Sequence, residues 1–309
     1  MILIGGKSPA AALFIGGSNQ DVTDIQLSES IMTDRNEVTH HYTHGGLLAA
    51  IRAGLEQLGK TPQSVTVDDL GPVEEFHIGG RVASEIFLDQ LALSANDHVL
   101  DVGCALGGTS RFVASRYASH IFGIDLTKEY IDTGRSLCAW VGLEHLITLE
   151  QGSATSLPCA DATFDKSYML HVGMNIADKN LLATEVSRVL KPGGKFGIYD
   201  IMRIGPGDLS FPVPWATTKN TSFVASSDDY KLALDNAGFD IVSERNRHNF
   251  ALDFFDKLKA NSLLANGPPA LGTHILMGAT APEKVQNIVE NLTEGRLAPI
   301  ELIAQKRKC

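Results

Sequence analysis

The segment LDVGCALGGTSRFVA, Leu100 to Ala114, constrains the fold more than any other part of the chain. An apolar run meets an acid at Asp101, a glycine-rich turn follows, and a helix-forming stretch begins. The next apolar run, FGIDLT (Phe122 to Thr127), again ends in an acid, Asp125. Two successive strands that end in carboxylates, with a glycine turn between them, describe a nucleotide site at the carboxyl edge of a parallel sheet. Gly103 and Gly107 let backbone approach a ligand where a Cβ would clash. Asp125 is placed to accept both hydroxyls of a ribose.

The charge of the first acid discriminates between ligands. A dinucleotide fold rests a pyrophosphate on the helix N-terminus, and a carboxylate at Asp101 would repel it. A cofactor carrying an ammonium and a sulfonium would instead be attracted. The residues therefore lean toward S-adenosylmethionine (SAM) and away from NAD, whose third glycine spacing is also absent.

These residues resemble the class I SAM-dependent methyltransferases. Three further segments fit that pattern in order: GSATSLPCADATFDKSYML (Gly152 to Leu170), EVSRVLKPGGKFGIYD (Glu185 to Asp200) and NAGFDIV (Asn236 to Val242). The resemblance covers residues 75–245 and is similar to a small-molecule branch, methyltransferase type 11, with ubiquinone-type C-, sarcosine/dimethylglycine N- and tocopherol-type enzymes. FHIGGR (Phe76 to Arg81), HVGMNIADK (His171 to Lys179) and PVPWA (Pro212 to Ala216) are compatible with that branch. The resemblance implies a doubly wound α/β fold, a mostly parallel seven-stranded Rossmann-like sheet with a mainly helical cap. It implies transfer of the SAM methyl group to an N, O or C atom of a small-molecule acceptor. Implied cofactor contacts are Asp101, Gly103, Gly107, Asp125, Leu126, Ser153 and Ala154, with Asp101 or the Gly103 carbonyl facing the methionine ammonium and Leu126 packing an adenine face. The chain departs from the family pattern at Ala105, where a second glycine is common, and at Ser153, where an acid often meets the adenine amine.

Composition narrows the class further. At 309 residues, 44% hydrophobic and 20% charged, the chain is globular material able to bury a sizeable core. A net charge of −10 argues against a nucleic-acid partner, which needs clustered Lys and Arg. Cys104, Cys138, Cys159 and Cys309 show no CxxC or zinc spacing, so no metal is expected and free thiols in a reducing, cytoplasmic setting are the simplest reading. No apolar run reaches membrane-span length. The N-terminal stretch MILIGGKSPAAALFIGG lacks the basic start of a secretory signal and is read as a weakly packed lead. Oligomeric state is not legible.

The expected organisation is an N-terminal lead with lid helices over 1–75, a SAM-binding core over 76–249 with a cap insertion at 202–226, a second cap insertion at 250–297, and a last core strand and tail at 298–309. Leu47, Leu48, Ile51, Leu55 and Leu58 predict a helix that Gly59 and Pro62 end, followed by a polar link to Glu75. Strands are expected near His98–Val102, Ile121–Asp125, Ile147–Gln151, Phe164–Leu170, Lys195–Ile201 and Asp240–Glu244, with helices between them. Lys191-Pro192-Gly193-Gly194 reads as a helix stop and turn. The two long insertions suit binding loops or lids above the carboxyl edge.

Candidate catalytic residues are His171 and Tyr42. His171 follows the fourth strand, where imidazole serves as a general base, as a substrate-orienting group, or merely as a strand-end contact to backbone. His40, His41, Tyr42 and His44 form an aromatic–polar cluster that reads as a lid or as an exposed helix lead-in, with no acid or cysteine at metal spacing. Candidate substrate contacts are His77, Arg81, Asn175 and Trp215. Arg81 alternatively pairs with Glu85 one turn on, Asn175 alternatively serves a turn, and Trp215 either walls the pocket or anchors its loop. Two rival functions use the same residues: an NAD-dependent oxidoreductase, and a SAM-binding partner protein without catalysis.

Overall fold

The computed structural model describes residues 39–43, 45–264 and 267–308. The apolar N-terminal lead, His44 and Cys309 lie outside the described residues. Seven strands, β1 His98–Val102, β2 His120–Asp125, β3 Ile147–Gln151, β4 Phe164–Leu170, β5 Leu190–Arg203, β6 Phe239–Asn246 and β7 Leu297–Lys306, form one sheet. Its order is β3-β2-β1-β4-β5-β7-β6. The first five run parallel, and β7 runs antiparallel to both β5 and β6. The helices are α1 Leu47–Gln57, α2 Val67–Glu74, α3 Gly80–Leu88, α4 Gly108–Tyr117, α5 Lys128–Trp140, α6 Lys179–Val189, α7 Ser227–Asn236, α8 His248–Leu264, α9 His274–Met277 and α10 Ala281–Thr293.

Because successive strand side chains point to opposite faces, each strand feeds two cores. In β4, Tyr168 joins Phe87, Val113 and Ile131 from α3, α4 and α5. Its neighbour Met169 joins Val186 and Leu234 from α6 and α7 on the other face. Each fully buried Leu, Val or Phe of this kind contributes roughly 1.5–3 kcal/mol relative to exposure. Two smaller clusters lie beyond the sheet. One packs α1 and α2 on Leu106, Tyr130, Leu137, Leu271 and Leu276. The other gathers Ile78, Met174, Ile201, Val213, Trp215, Ile288 and Leu292. At the start of α1 the Glu129 carboxylate accepts the N–H groups of Gly45 (2.9 Å) and Leu47 (3.0 Å), tying that helix to α5.

The sequence reading differs from the structure in three places. The expected link before Glu75 contains α2, opened by a capping box in which Thr66 Oγ1 accepts from Asp69 N and Asp69 reaches back to Thr66 N. That Thr-x-x-Asp signal was present in the sequence, and the prolines obscured it. Lys191–Gly194 lies within β5 and not before it: Phe164 pairs with Leu190 and Lys166 with Lys195, so the register shifts across these residues. The insertion 202–226 carries one short 3-10 turn, Lys219–Thr221, and no α-helix.

That insertion also decides the position of Trp215. Its indole is 3% exposed within the fourth cluster, and Nε1 donates to Ser222 Oγ at 2.9 Å. Asn287 Nδ2 donates to Pro212 O (2.8 Å) and Asn291 Nδ2 to Ser210 O (3.0 Å), stitching the loop to α10. Trp215 is the loop's anchor, which corrects its assignment as a substrate contact. Trp215→Ala should lower the free energy of unfolding by about 3–5 kcal/mol in a urea titration. A loss well below that would place the indole outside the load of the core.

Candidate active site

β1 and β2 pair in register, Asp101 opposite Gly123, so the two strand-end acids arrive at one edge of the sheet. Asp101 is 3% exposed. Ser110 Oγ donates to its Oδ2 at 2.6 Å and Tyr168 Oη to the same oxygen at 3.0 Å. Burial pushes the Asp101 carboxyl up to about 7, against the pull of those two hydrogen bonds and with a further push from Asp125. Asp125 accepts Thr127 N–H on Oδ1 (2.8 Å) and Ala105 N–H on Oδ2 (3.1 Å). Burial raises its carboxyl too, partly offset by those two donors.

The turn between the strands is forced into a conformation that L residues avoid. Gly103 has φ 73°, and a Cβ there would lie 2.4 Å from the Val172 side chain. Ala105 has φ 47°, so the position where the family favours glycine keeps the left-handed backbone with alanine. The Ala105 N–H bond to Asp125 helps hold that geometry.

The opposite wall descends from β4. His171 has φ 53° and donates its backbone N–H to Tyr199 O at 2.7 Å. The residue is half-buried, and its Nε2 is buried with no protein partner. Burial, reinforced by the neighbouring His77, holds the His171 imidazole well below the usual histidine range. Asn175 Nδ2 donates to Tyr42 Oη at 3.1 Å while its Oδ1 has no partner. Burial raises the Tyr42 phenol. Below this wall the buried Lys179 ammonium donates to Ile176 O and, at 2.8 Å, to Phe223 O. Desolvation lowers it to about 8, against the attraction of Asp200.

One cavity brings most of the predicted residues together. Tyr42, His77, Asp101, Gly103, Asp125, Leu126, Ser153, Ala154, His171 and Asn175 all line it. Three predicted residues do not. Gly107 (φ 74°) instead opens α4, donating its N–H to Cys104 O at 2.7 Å. Arg81 pairs with Glu75 at 3.0 Å and lies over the Phe112 ring at 4.3 Å, while Glu85 faces Arg116 instead. Trp215 is in the core, as above. Ser153 Oγ bonds Thr155 Oγ1 at 2.9 Å within its own turn. His41 donates through Nε2 to Pro214 O at 3.0 Å and His40 is exposed. Among the described residues no group of three or more His, Cys, Asp or Glu could hold a metal.

Glu74, Phe76, Tyr130 and Phe223 line the cavity and were missed in the sequence. Glu74 is the most informative. One oxygen accepts from the fully buried Arg111 guanidinium, and the other, Oε1, is buried without a partner. With Asp101, Asp125 and Asp178, four carboxylates line the cavity, and no Lys or Arg does among the described residues. Such a lining attracts a cation and repels a pyrophosphate. The orphaned Glu74 oxygen and the raised Asp101 carboxyl both await a positive partner. The residues present therefore fit SAM, whose ammonium and sulfonium supply that charge, and do not fit NAD.

Residues 100–198 match the family model described as a methyltransferase domain. The chain is 27% identical over 231 residues to Methyltransferase GfsG of Streptomyces halstedii, covering 71% of this chain and 81% of that one. It is 32% identical over 173 residues to phosphoethanolamine N-methyltransferase of Triticum aestivum, covering 56% of this chain. This chain spans about a third (34%) of that enzyme's length. Among solved structures, geranyl diphosphate C-methyltransferase of Streptomyces coelicolor A3(2), crystallised with S-adenosyl-L-homocysteine, superposes with a TM-score of 0.65 at 18% identity, covering 88% of this chain and 98% of that one. Residues 100–198 thus match a methyltransferase domain, and the sheet order and cavity charge agree with the SAM-dependent methyltransferase fold of these structures.

Proposed function

We propose that this chain transfers the methyl group of SAM to a small acceptor that enters without negative charge, such as an amine, phenol or alcohol. The observation that carries the proposal is the cavity lining, four carboxylates with no Lys or Arg among the described residues. The phosphate named for the wheat relative's acceptor would meet repulsion there. SAM supplies an electrophilic methyl carbon on a sulfonium, so the protein's work is alignment and exclusion of water. Asp125 would hold the ribose hydroxyls, Leu126 an adenine face, and Ser153 and Ala154 the adenine edge. Asp101 and Glu74 would face the ammonium. Tyr42, the next residues of the lid and the two insertions at 202–226 and 250–297 would close over the acceptor.

His171 suits orientation more than proton storage. Its depressed imidazole is neutral at pH 7, and its unpartnered Nε2 can accept a hydrogen bond from the acceptor. Cys104, Cys138 and Cys159 are free thiols, which supports a reducing, cytoplasmic setting. Among the described residues no helix is long and apolar enough to cross a membrane.

Calorimetric titration should find SAM binding and no NAD binding. Asp125→Ala should weaken SAM at least tenfold, because hydrogen bonds to a charged group are each worth roughly 1.5–3 kcal/mol. Unchanged affinity would remove Asp125 from the site. The pH dependence has a definite sign. A cationic ligand favours the ionised Asp101, so affinity is full above about 7 and weakens as pH falls below it. The limiting slope is about tenfold per pH unit for one proton. Asp101→Asn should bind SAM more weakly and flatten that slope. The raised carboxyl contributes stability only while protonated, and loses it as pH rises through about 7. That loss begins above the ordinary value of 3.8 and is complete by about 7, so the same variant should raise Tm more at pH 8 than at pH 5. A Tm gain that is equal at both pH values would sink the assignment.

A further inference from the structure

Two imidazoles share the cavity wall, and they are not chemically equivalent. The rings of His77 and His171 lie 5.8 Å apart, centroid to centroid, at an edge-on angle of 70°. Both residues line the cavity. No carboxylate is paired with His171. His77 Nε2, by contrast, lies 2.8 Å from Glu75 Oε2 and 3.0 Å from Ser84 Oγ. The Ser84 hydroxyl donates its hydrogen to that same Glu75 oxygen at 2.8 Å. Both neighbours therefore present lone pairs to Nε2, so Nε2 must carry the hydrogen. In the neutral ring that leaves Nδ1 as the bare nitrogen, and it is buried without a protein partner.

Glu75 is built to stay ionised. Its second oxygen is paired with Arg81 Nε at 3.0 Å, and the side chain is 5% exposed. Burial pushes this carboxyl up, but His77, Arg81 and Ser84 together hold it below the ordinary value. Around His77 the facing groups are Glu75 and, beyond it, Arg81, with His171 and the Tyr199 ring (6.1 Å between centroids) on the other sides. The Tyr199 hydroxyl is committed to Ile78 O at 2.9 Å. Among the described residues Glu75 is thus the anion in contact with the ring.

We propose that His77 Nδ1 takes the proton from a hydroxyl acceptor during methyl transfer, with Glu75 as its positioning residue; this rests on the methyl-transfer reading above. As the acceptor oxygen bonds the methyl carbon, the carbon–sulfur bond breaks and its electron pair stays on sulfur. The O–H proton passes to Nδ1. One positive charge leaves the sulfonium and one appears on the imidazolium, against the Glu75 carboxylate. His171 holds the acceptor beside it.

The test uses the full chain with ¹⁵N-labelled histidine and long-range ¹H–¹⁵N correlation, without cofactor. The expected result is His77 as the Nε2–H tautomer with bare Nδ1. Kinetics use [³H-methyl]SAM with pools of phenols and aliphatic alcohols. Glu75→Gln should lower kcat at least tenfold with KM for SAM unchanged, and His77→Gln roughly 10²–10⁴-fold. Glu75→Asp should recover part of the loss. An Nδ1–H tautomer in the wild type overturns the proposal, and that measurement needs no variant to fold. Glu75→Gln with wild-type kcat overturns it too, as does turnover of amines alone that is indifferent to His77→Gln. Failure of the wild type to bind SAM would instead sink the methyl-transfer reading, whatever tautomer His77 holds.

Discussion

A carboxylate moved from water to the end of a buried parallel strand has to be compensated, and at Asp101 the protein compensates only in part. Ser110 and Tyr168 hydrogen-bond one oxygen, yet burial still wins and the carboxyl rises to about 7. No guanidinium or ammonium is brought in to neutralise it, although Arg111 lies on the same helix as Ser110. Arg111 turns away and is consumed by Glu74. The result is an edge that stores unfavourable electrostatic energy until a cation arrives. The glycine turn and the left-handed Ala105 shape that edge, and α2 brings Glu74 to it.

What could be read in the sequence follows from how local each signal is. Asp101, Gly103 and Asp125 sit at strand ends within one strand–turn–helix–strand unit, so spacing alone places them together. The individual strands were legible for the same reason, since each carries its own period and stop, whereas their assembly into one seven-stranded sheet followed from the family resemblance. Glu74 and Glu75 were not. Their stretch carries Pro62 and Pro72 and lacks a strong apolar stripe, and their role depends on α2 folding back against α4. At Gly108 an added Cβ would lie 2.7 Å from the Glu74 Cβ, a contact no window of sequence reveals.

Trp215 and Arg81 illustrate the opposite error. Each is a residue type that commonly meets ligands, and each sits in a segment that does approach the cavity. Tertiary packing gave them other work. Trp215 closes a cluster between the sheet and α10, and Arg81 braces Glu75 from behind. His77 and His171 were both singled out by their place beside a helix start and a strand end, but only the three-dimensional placement of Glu75 and Ser84 separates a ring with an anionic partner from one without.

Lys179 carries a mechanical consequence. Its single ammonium is bonded to Ile176 O on one wall and Phe223 O on the other, and it is 8% exposed. Parting those two carbonyls would strand a desolvated charge. The helical turn at 39–42 is instead tied to its surroundings by the Tyr42–Asn175 hydrogen bond between neutral groups and by His41 on Pro214 O at 3.0 Å. Separating Ile176 from Phe223 therefore costs more than breaking the Tyr42–Asn175 contact, since only the first exposes a buried cation to the loss of its partners.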